Sequence, residues 1–366
     1  MKIICSKGDL LNHLQHAQNI VNPKSTLPIL ANILLDAKDK TLEIVSTDLE
    51  ISINSLCPAE VIKPGKAALP AKKLFDIIKS LPDQPITIDI NDSNVAEIIC
   101  KPHIQLKLLG LPGEDFPKLP EFNKADSWTM DTKNVKKIVK RTAFAVSKDE
   151  SRYVLNGIYF IFNGNKITAV STDGRRLSFV SIETSKRKDV KADFIIPSKT
   201  VQGLSKLLDS EEDLTVYFRE NQVKFSVGNF SLITKLIEGN FPNYDAVIPK
   251  GTGVPIKINR QTFLDALTRT SLFTSERANS VKLTFSKGSC VLSANTPELG
   301  EAKEEISIDY DGGDFITAFN PGYLMDVMKN IEEKEFTIMF PENSTAGVIT
   351  TDKEFLHVIM PMRVSN

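Results

Sequence analysis

The chain has few of the residues that build metal centres, disulfide frameworks or redox sites. Its 366 residues hold four cysteines, Cys5, Cys57, Cys100 and Cys290. They lie far apart with no C-x-x-C pair, which predicts reduced thiols rather than disulfides or zinc ligands. Four histidines, His13, His16, His103 and His357, form no H-E-x-x-H pattern. His13 and His16 stand i,i+3 on an expected helix without a nearby third ligand, so they read as a polar helix face. No apolar run approaches the ~20 residues that a membrane span needs, and the stretch from Met1 to Lys7 lacks the apolar core of a signal peptide. A cytoplasmic protein with no membrane partner is expected. There is no G-x-x-x-x-G-K-[ST] phosphate loop and no G-x-S-x-G elbow. Ser171-Thr172-Asp173-Gly174 faintly resembles an aspartic-protease loop, but that chemistry needs Asp before Thr/Ser-Gly, twice, to pair two carboxylates. Here Thr precedes Asp, and the third matching position is Asn295. No catalytic residue, metal or cofactor is therefore expected. A net charge of −1 excludes a uniformly basic nucleic-acid module.

What the chain has is an internal repeat of about 120 residues, present three times. One strand-turn-strand unit appears as Asn32-Ile33-Leu34-Leu35 with Leu42-Glu43-Ile44-Val45-Ser46-Thr47-Asp48. It recurs as Gly157–Phe162 with Lys166–Asp173, and again as Val281–Phe285 with Cys290–Asn295. Asp48, Asp173 and Asn295 match at spacings of 125 and 122, and Pro70, Pro197 and Asn320 at 127 and 123. Phe116-Pro117, Phe241-Pro242 and Met360-Pro361 close the three copies. Each copy has two helices of 3.6-residue periodicity. Their stripes are Leu10, Leu11, Leu14, Val21 and Leu74, Phe75, Ile78, Leu81 in the first copy. Val135, Ile138, Val139, Ala143, Val146 and Val201, Leu204, Leu208 serve the second; Phe263, Leu264, Leu267 and Tyr323, Leu324, Val327, Met328, Ile331 serve the third. The remaining apolar or alternating runs read as strands. The expected fold class is α+β: three similar domains, residues 1–124, 125–252 and 253–366, each with two helices packed on antiparallel sheet.

Charge is segregated within this pattern. The six helical segments with their flanks (7–24, 71–80, 131–141, 198–209, 260–272 and 320–334) carry 16 Lys/Arg against 8 Asp/Glu, an excess of +8 that leaves −9 for the rest. Lys133, Lys136, Lys137, Lys140 and Arg141 are expected to lie away from the apolar stripe of their helix, and Lys72, Lys73 and Lys79 likewise on theirs. Six such helices facing one way would make a positive lining that attracts phosphates without reading bases.

The repeat residues resemble a known family. Thr26-Leu27-Pro28-Ile29-Leu30, Arg152-Tyr153-Val154-Leu155-Asn156-Gly157, Ser171–Leu177, Phe241-Pro242-Asn243-Tyr244 and Met360-Pro361-Met362-Arg363, in this order and spacing, are similar to the beta subunit of bacterial DNA polymerase III, the DNA sliding clamps. The resemblance spans essentially the whole chain. It implies a non-catalytic processivity factor: a head-to-tail homodimer closing into a ring around duplex DNA, without sequence preference. The implied partners are the replicative polymerase catalytic subunit, the clamp loader, and other polymerases and repair proteins carrying clamp-binding motifs.

The family's dimer contact maps onto Leu106 and Leu108 and onto Leu272 and Phe273, with Glu298, Glu301, Glu304 and Glu305 placed to meet Lys101 and Lys107. Its peptide pocket maps onto Leu155, Thr172, Gly174, Arg175, Arg176 and Leu177, then Pro242 and Val247. Asn320, Tyr323, Met360, Pro361, Met362 and Arg363 complete it. Leu177, Val247 and Met360 would offer apolar walls, and Arg176 and Asn320 polar groups to orient a peptide with Gln and a Leu/Phe pair. Burying two large apolar side chains gives roughly 3–6 kcal/mol gross, which after association costs suits an exchangeable complex near micromolar. For DNA the resemblance points to Lys24, Lys148, Arg152, Tyr153 and Lys199; the charge pattern adds Lys72, Lys73, Lys136, Lys137 and Lys140. The chain departs from familiar members at Ala246, Ser344 and Ala346 and in its tail Val364-Ser365-Asn366, which bears on partner affinity. A three-repeat interaction scaffold without DNA is the alternative; it predicts neither basic helices nor a pocket at the chain's end.

Overall fold

The computed structural model describes the chain except residues 23–24, 124–126, 185–190, 210, 252, 276–278, 342–345 and 364–366. Lys24, Ser344, the 364–366 tail and the expected boundaries at 124 and 252 lie outside the described residues. The described residues form six α-helices and four antiparallel sheets. The helices are α1 (Lys7–Gln18), α2 (Ala71–Ser80), α3 (Thr132–Thr142), α4 (Ser198–Leu207), α5 (Arg260–Ser271) and α6 (Pro321–Asn330). Two fall in each repeat, as their stripes predict, and the chain is α+β.

The first helix of each repeat opens on a side chain that caps a free backbone N–H. Ser6 accepts from Asp9 N at 3.1 Å, Asp131 from Lys133 N at 2.8 Å and Asn259 from Thr262 N at 3.0 Å. Each such cap is worth about 1 kcal/mol. Leu10, Leu14, Leu74, Ile78, Ile138, Leu204, Phe263, Leu267, Leu324 and Val327 are buried beneath the helices, at the positions the periodicity marks.

By contacts the chain divides into two units. The first comprises Met1–Lys133 and Lys199–Leu236, the second Asn134–Ser198 and Ile237–Asn366. In the first unit α1 packs on α2. Its larger sheet has nine strands, in the order Leu111–Pro112, Gly65–Pro70, Asn32–Lys38, Thr41–Thr47, Ile51–Pro58, Phe230–Lys235, Gln222–Val227, Leu214–Arg219 and Ser127–Met130. The middle of this sheet is the pairing of Ile51–Pro58 with Phe230–Lys235, from Phe230↔Ser55 to Thr234↔Ile51, so one ladder runs through two repeats. In the second unit α5 packs on α6. Its eight-stranded sheet is joined in the same way by Arg176–Glu183 against Phe355–Ile359, from Arg176↔Ile359 to Val180↔Phe355.

A repeated turn sets up both joints. In the first repeat Ser46 Oγ donates to Ala17 O at 2.7 Å, Thr47 Oγ1 to Ile51 O at 3.1 Å, and Asp48 Oδ1 accepts from Glu50 N and Ile51 N at 3.0 and 2.8 Å. In the second, Ser171 Oγ donates to Thr142 O at 2.6 Å, Thr172 Oγ1 to Arg176 O at 2.6 Å, and Asp173 Oδ1 accepts from Arg175 N and Arg176 N at 2.9 and 3.1 Å. Short polar side chains that bond their own backbone two or three residues on are the ordinary makers of such turns. Asn295 does not share this role. It pairs with Glu301 inside a hairpin that stays in register to Thr296↔Gly300, so no turn is required there.

Two further expectations are corrected. His13 and His16 are not a solvated helix face: both pack on Phe230, at ring-centroid distances of 4.6 and 4.8 Å. Burial pushes His13 down to about 4. Arg141 does not lie with the lysines on the outer face of α3 but is buried, 3% exposed. Its guanidinium binds Glu333 and, at 3.0 Å, Asp352, and lies 5.2 Å from the Phe355 ring centroid. The four thiols are free and buried, with Cys5, Cys57 and Cys290 pushed up to about 12 by that burial.

Candidate functional site

The expected pocket residues fall in the second unit, around the joint between strands Arg176–Glu183 and Phe355–Ile359. An apolar cluster of Val170, Leu177, Ala346 and Val358 lies there, with Phe179, Phe241, Tyr244, Ile248 and Leu356 packed against it. Tyr159 stacks on Phe241 at 5.0 Å and sends its hydroxyl to Asp193 at 2.9 Å. Burial first, and that carboxylate second, push the Tyr159 phenol up to about 12. Burial likewise raises Tyr244. Around the cluster, large apolar side chains stay open to water: Val247 is 53% exposed, Met360 45% and Met362 37%.

Backbone bonds fix the chain's end beside this cluster. Met360 N donates to Arg175 O at 2.9 Å and Met362 N to Ala318 O at 2.7 Å. Val247 is held by a short 3-10 turn, its N–H bonded to Tyr244 O at 3.1 Å. Gly174 has φ +84°, which favours glycine, while a Cβ there would meet only the movable end of the Arg152 side chain. Pro242 is exposed, and Leu155 is buried at the end of the turn Glu150–Leu155.

Arg176 is brought to the site already bonded. Its Nε donates to Asp173 at 3.0 Å, Nη1 to Asp326 at 2.7 Å and Nη2 to Phe144 O at 2.6 Å, and it sits 4.3 Å from the Tyr323 ring centroid. These bonds give each nitrogen a partner and leave one N–H on each Nη, so Arg176 holds Tyr323 and α6 in place with two donors to spare. Asn320 is likewise engaged: its Oδ1 caps α6 by accepting from Gly322 N at 2.8 Å. Arg175 and Arg363 are exposed and offer charge instead. Ala346 is buried in the cluster, forming floor rather than rim, while Ala246 is exposed. Sequence reasoning missed His357, fully buried, its ring centroid 5.5 Å from that of Phe144. Burial, then the nearby Arg176 charge, pushes His357 down to about 3, so it is neutral.

The basic candidates divide by what their charges meet. Lys137 is paired with Glu354 and with Asp352 at 3.7 Å, Lys140 with Glu332 at 2.6 Å, and Lys199 with Asp48. Lys136 is exposed. Lys72, Lys73 and Lys148 are exposed and make no ion pair among the described residues. Tyr153 is 59% exposed, and Arg152 lies 3.5 Å from Asp149.

Two sheet edges complete the candidates. Ile104–Leu109 ends the five-stranded sheet of the first unit, and Gly300–Ser307 ends the four-stranded sheet of the second. Leu106 and Phe273 are half-buried, Leu108 is buried, and Leu272 is 71% exposed. Leu109, at 73%, was missed, although it breaks the strand's alternation by standing on the face of Gln105 and Lys107. Glu304 already has a partner within its own chain: Arg269 binds it through two bonds of 2.9 and 2.5 Å. Glu298, Glu301 and Glu305 are exposed.

Comparison with known proteins gives the family. Family models for the DNA polymerase III beta subunit match along the chain: the N-terminal domain over residues 1–120, the central domain over 129–243 and the C-terminal domain over 245–363. The chain belongs to the DNA polymerase III beta subunit family, the sliding clamps. It is 32% identical over 364 residues to the beta sliding clamp of Chlamydia muridarum, covering 100% of this chain and 99% of that one. It is also 32% identical over 369 residues to the beta sliding clamp of Pseudomonas aeruginosa, covering 100% of both. The crystal structure of the Bacillus subtilis DNA polymerase sliding clamp matches with a TM-score of 0.94 at 28% identity, over 100% of both chains. A Pseudomonas aeruginosa DnaN sliding clamp bound to griselimycin matches with a TM-score of 0.94 at 29% identity, again over 100% of both. As a sliding-clamp sequence the chain is a replication protein, and the scaffold alternative finds no support. No helix among the described residues is long and apolar enough to cross a membrane.

Proposed function

We propose that two copies of this chain close head to tail into a ring around duplex DNA in the cytoplasm, with residues 1–124, 125–252 and 253–366 as the domains of each. The groove of the second unit then seats short peptide segments of the replicative polymerase, the clamp loader and other polymerases and repair proteins. The observation that carries this reading is the Leu177 cluster with Val247, Met360 and Met362 left open around it. Exposed apolar side chains beside a packed floor are how a protein offers anchor pockets to a partner. Leu155, Thr172, Gly174 and Pro242 shape that groove; Arg176, Asn320 and Tyr323 hold one wall; Arg175, Pro361 and Arg363 flank it.

Ring closure would use the two sheet edges. Leu106, Leu108 and Leu109 on Ile104–Leu109 meet Leu272 and Phe273 of the second copy, and Lys101 and Lys107 face Glu298, Glu301 and Glu305. Pairing the edges satisfies their free backbone groups. Lys72, Lys73 and Lys148 carry the unneutralised charge for phosphates, and Arg152, Tyr153 and Lys136 are further candidates; Lys137, Lys140 and Lys199 contribute less, because each already has a carboxylate. Lys24 remains a candidate outside the described residues. The work is binding, not catalysis: Asp173 spends its carboxylate on its own turn and on Arg176.

The test is retention on nicked circular DNA, loaded with a compatible clamp loader and ATP. Release when the circle is cut is the expected result; retention on linear DNA would overturn encirclement. A fluorescent peptide carrying Gln and a Leu-Phe pair tests the groove separately, and binding that ignores Met360→Lys would overturn the assignment.

A further inference from the structure

The frame of the groove is built twice. In the first unit, Lys235 N donates to Glu50 O at 2.9 Å, as Met360 N does to Arg175 O at 2.9 Å in the second. Ser52 pairs with Ile233 where Leu177 pairs with Val358. Leu49 N donates to Thr47 Oγ1 at 3.0 Å where Gly174 N donates to Thr172 Oγ1 at 3.0 Å. Below each turn lies a matching cluster: Val45 and Phe116 with Leu34 and Leu119, against Val170 with Phe241 and Tyr244. Even the residue that locks the far wall has a counterpart. Arg176 binds Asp326 on α6, whereas Ile51 approaches Gly203 on α4, its Cδ1 3.7 Å from where a Cβ would stand.

Besides Ile51 in place of Arg176, four differences in the walls close the first copy. Gly174 is matched by Leu49, which keeps the left-handed backbone at φ +75° although that region disfavours leucine, and which is 45% exposed. Leu177 is matched by Ser52, whose hydroxyl is satisfied by Thr47 Oγ1 at 2.7 Å. Arg175 and Met360 are matched by Glu50 and Lys235, which pair with each other at 3.0 Å. What remains is a cavity of about 130 Å³, with Leu49, Ser52, Pro117, Leu119 and Ile233 in its lining. That is well below the roughly 300 Å³ at which ligand pockets begin, and too small for two large side chains. An apolar side chain entering would also strip water from the Glu50–Lys235 pair without replacing it.

We infer that the first unit carries a closed copy of the groove, and that Leu49, Ser52 and the Glu50–Lys235 pair restrict the chain to one peptide site. This rests on the groove reading given above. Strain at Leu49 is kept because its side chain fills the mouth, an observed backbone outlier serving specificity. The chain thereby presents its partners with a single address per copy, although its repeats would build two.

The experiment counts sites. Full-length chain is titrated with a synthetic fluorescent peptide carrying Gln and a Leu-Phe pair, and bound peptide per chain is read at saturation. Wild type is expected to take one, and M360K, weakened about ten- to a hundredfold, to take none at the peptide concentration that just saturates wild type. The L49G/E50R/S52L/K235M variant is expected to take two, falling to one when M360K is added. A folded four-fold variant that still takes one overturns the inference, as does a wild type that takes two. A wild type that takes none, or whose site survives M360K, overturns the groove reading and this inference with it. Should the four-fold variant not fold by circular dichroism, L49G/S52L/K235M, which still removes the mouth side chain, the serine and the ion pair, is counted in the same way, with the same outcomes decisive.

Discussion

Replacing Arg141 by Met keeps the length of the side chain and removes its charge. Arg141 is buried and ties α3 to two carboxylates, Glu333 and Asp352, whose side chains are both 31% exposed. Breaking a buried pair by removing one partner costs about 3–5 kcal/mol when the survivor stays dry. Here water reaches both survivors, which lowers the expected loss to about 2 kcal/mol, with up to about 1 more because the Phe355 ring no longer faces a cation. The loss must also depend on pH. Burial acts to raise the Asp352 carboxyl, but the Arg141 bond, the Glu354 N–H and the Arg141 and Lys137 charges outweigh it, and its pKa lies below the ordinary value. A carboxylate depressed on folding stabilises the fold above its unfolded pKa and loses that contribution as pH falls through its folded pKa. Urea unfolding of wild type and R141M, followed from pH 7 down to pH 3, should show a gap of about 2–3 kcal/mol that shrinks toward the acid end. A gap under about 0.5 kcal/mol at pH 7, as for a solvated surface pair, or one that is the same at both ends, would refute the reasoning.

Other outcomes can be stated more briefly. Met360→Lys should weaken binding of the Gln and Leu-Phe peptide by about ten- to a hundredfold, the worth of one buried apolar side chain, without changing the circular dichroism spectrum. Leu109→Asp or Leu272→Asp should shift the chain from dimer to monomer in sedimentation; a variant that stays dimeric would remove these edges from the interface. Replacing Lys72 and Lys73 by Glu should lower the salt dependence of DNA association by about 0.9 in log–log slope for each phosphate left without its cation, while the same change at Lys137 and Lys140 should do less. Burial holds His13 at about 4 rather than 6.5, so between these values the unfolded chain binds more protons and stability is lost as pH falls. His13→Leu should flatten that decline by the His13 share, at most about 3 kcal/mol, and leave the shares of His16 and His357 in place.

The helices and their buried faces were legible because 3.6-residue periodicity is a local property of the sequence. Leu10, Leu74, Ile138, Leu204, Phe263 and Leu324 could be assigned to the core before any contact was known. The three-fold repeat was legible for the same reason, and with it the match of Ser46–Asp48 to Ser171–Asp173, though not the turn that both make. Asn295 shows the limit of that argument, since a matching position in a hairpin that stays paired has no turn to make. Charges were read less well. Arg141, Lys137 and Lys140 look like one basic face along α3, but their partners Glu332, Glu333, Asp352 and Glu354 lie some 190 or more residues away, as in the 192-residue separation of Lys140 and Glu332. The partners of Arg176 were missed for a related reason: nothing local marks Asp326 and Phe144 O as groups that bind it. Pairing of distant strands is also silent in sequence, so the ladders through Ile51–Pro58 and Arg176–Glu183 could not be foreseen from strand patterns alone.

Those ladders have a mechanical consequence. In each unit a run of paired residues, Ile51 with Thr234 through Ser55 with Phe230 and Arg176 with Ile359 through Val180 with Phe355, welds one repeat to the next. Pulling such repeats apart along the sheet would load several backbone hydrogen bonds together and tear the core beneath them. A ring of the proposed kind therefore has its points of easy parting where one chain ends and the next begins. A machine that prises it open has to apply force at those outer edges, and the weld lines inside each chain carry the load while it does so.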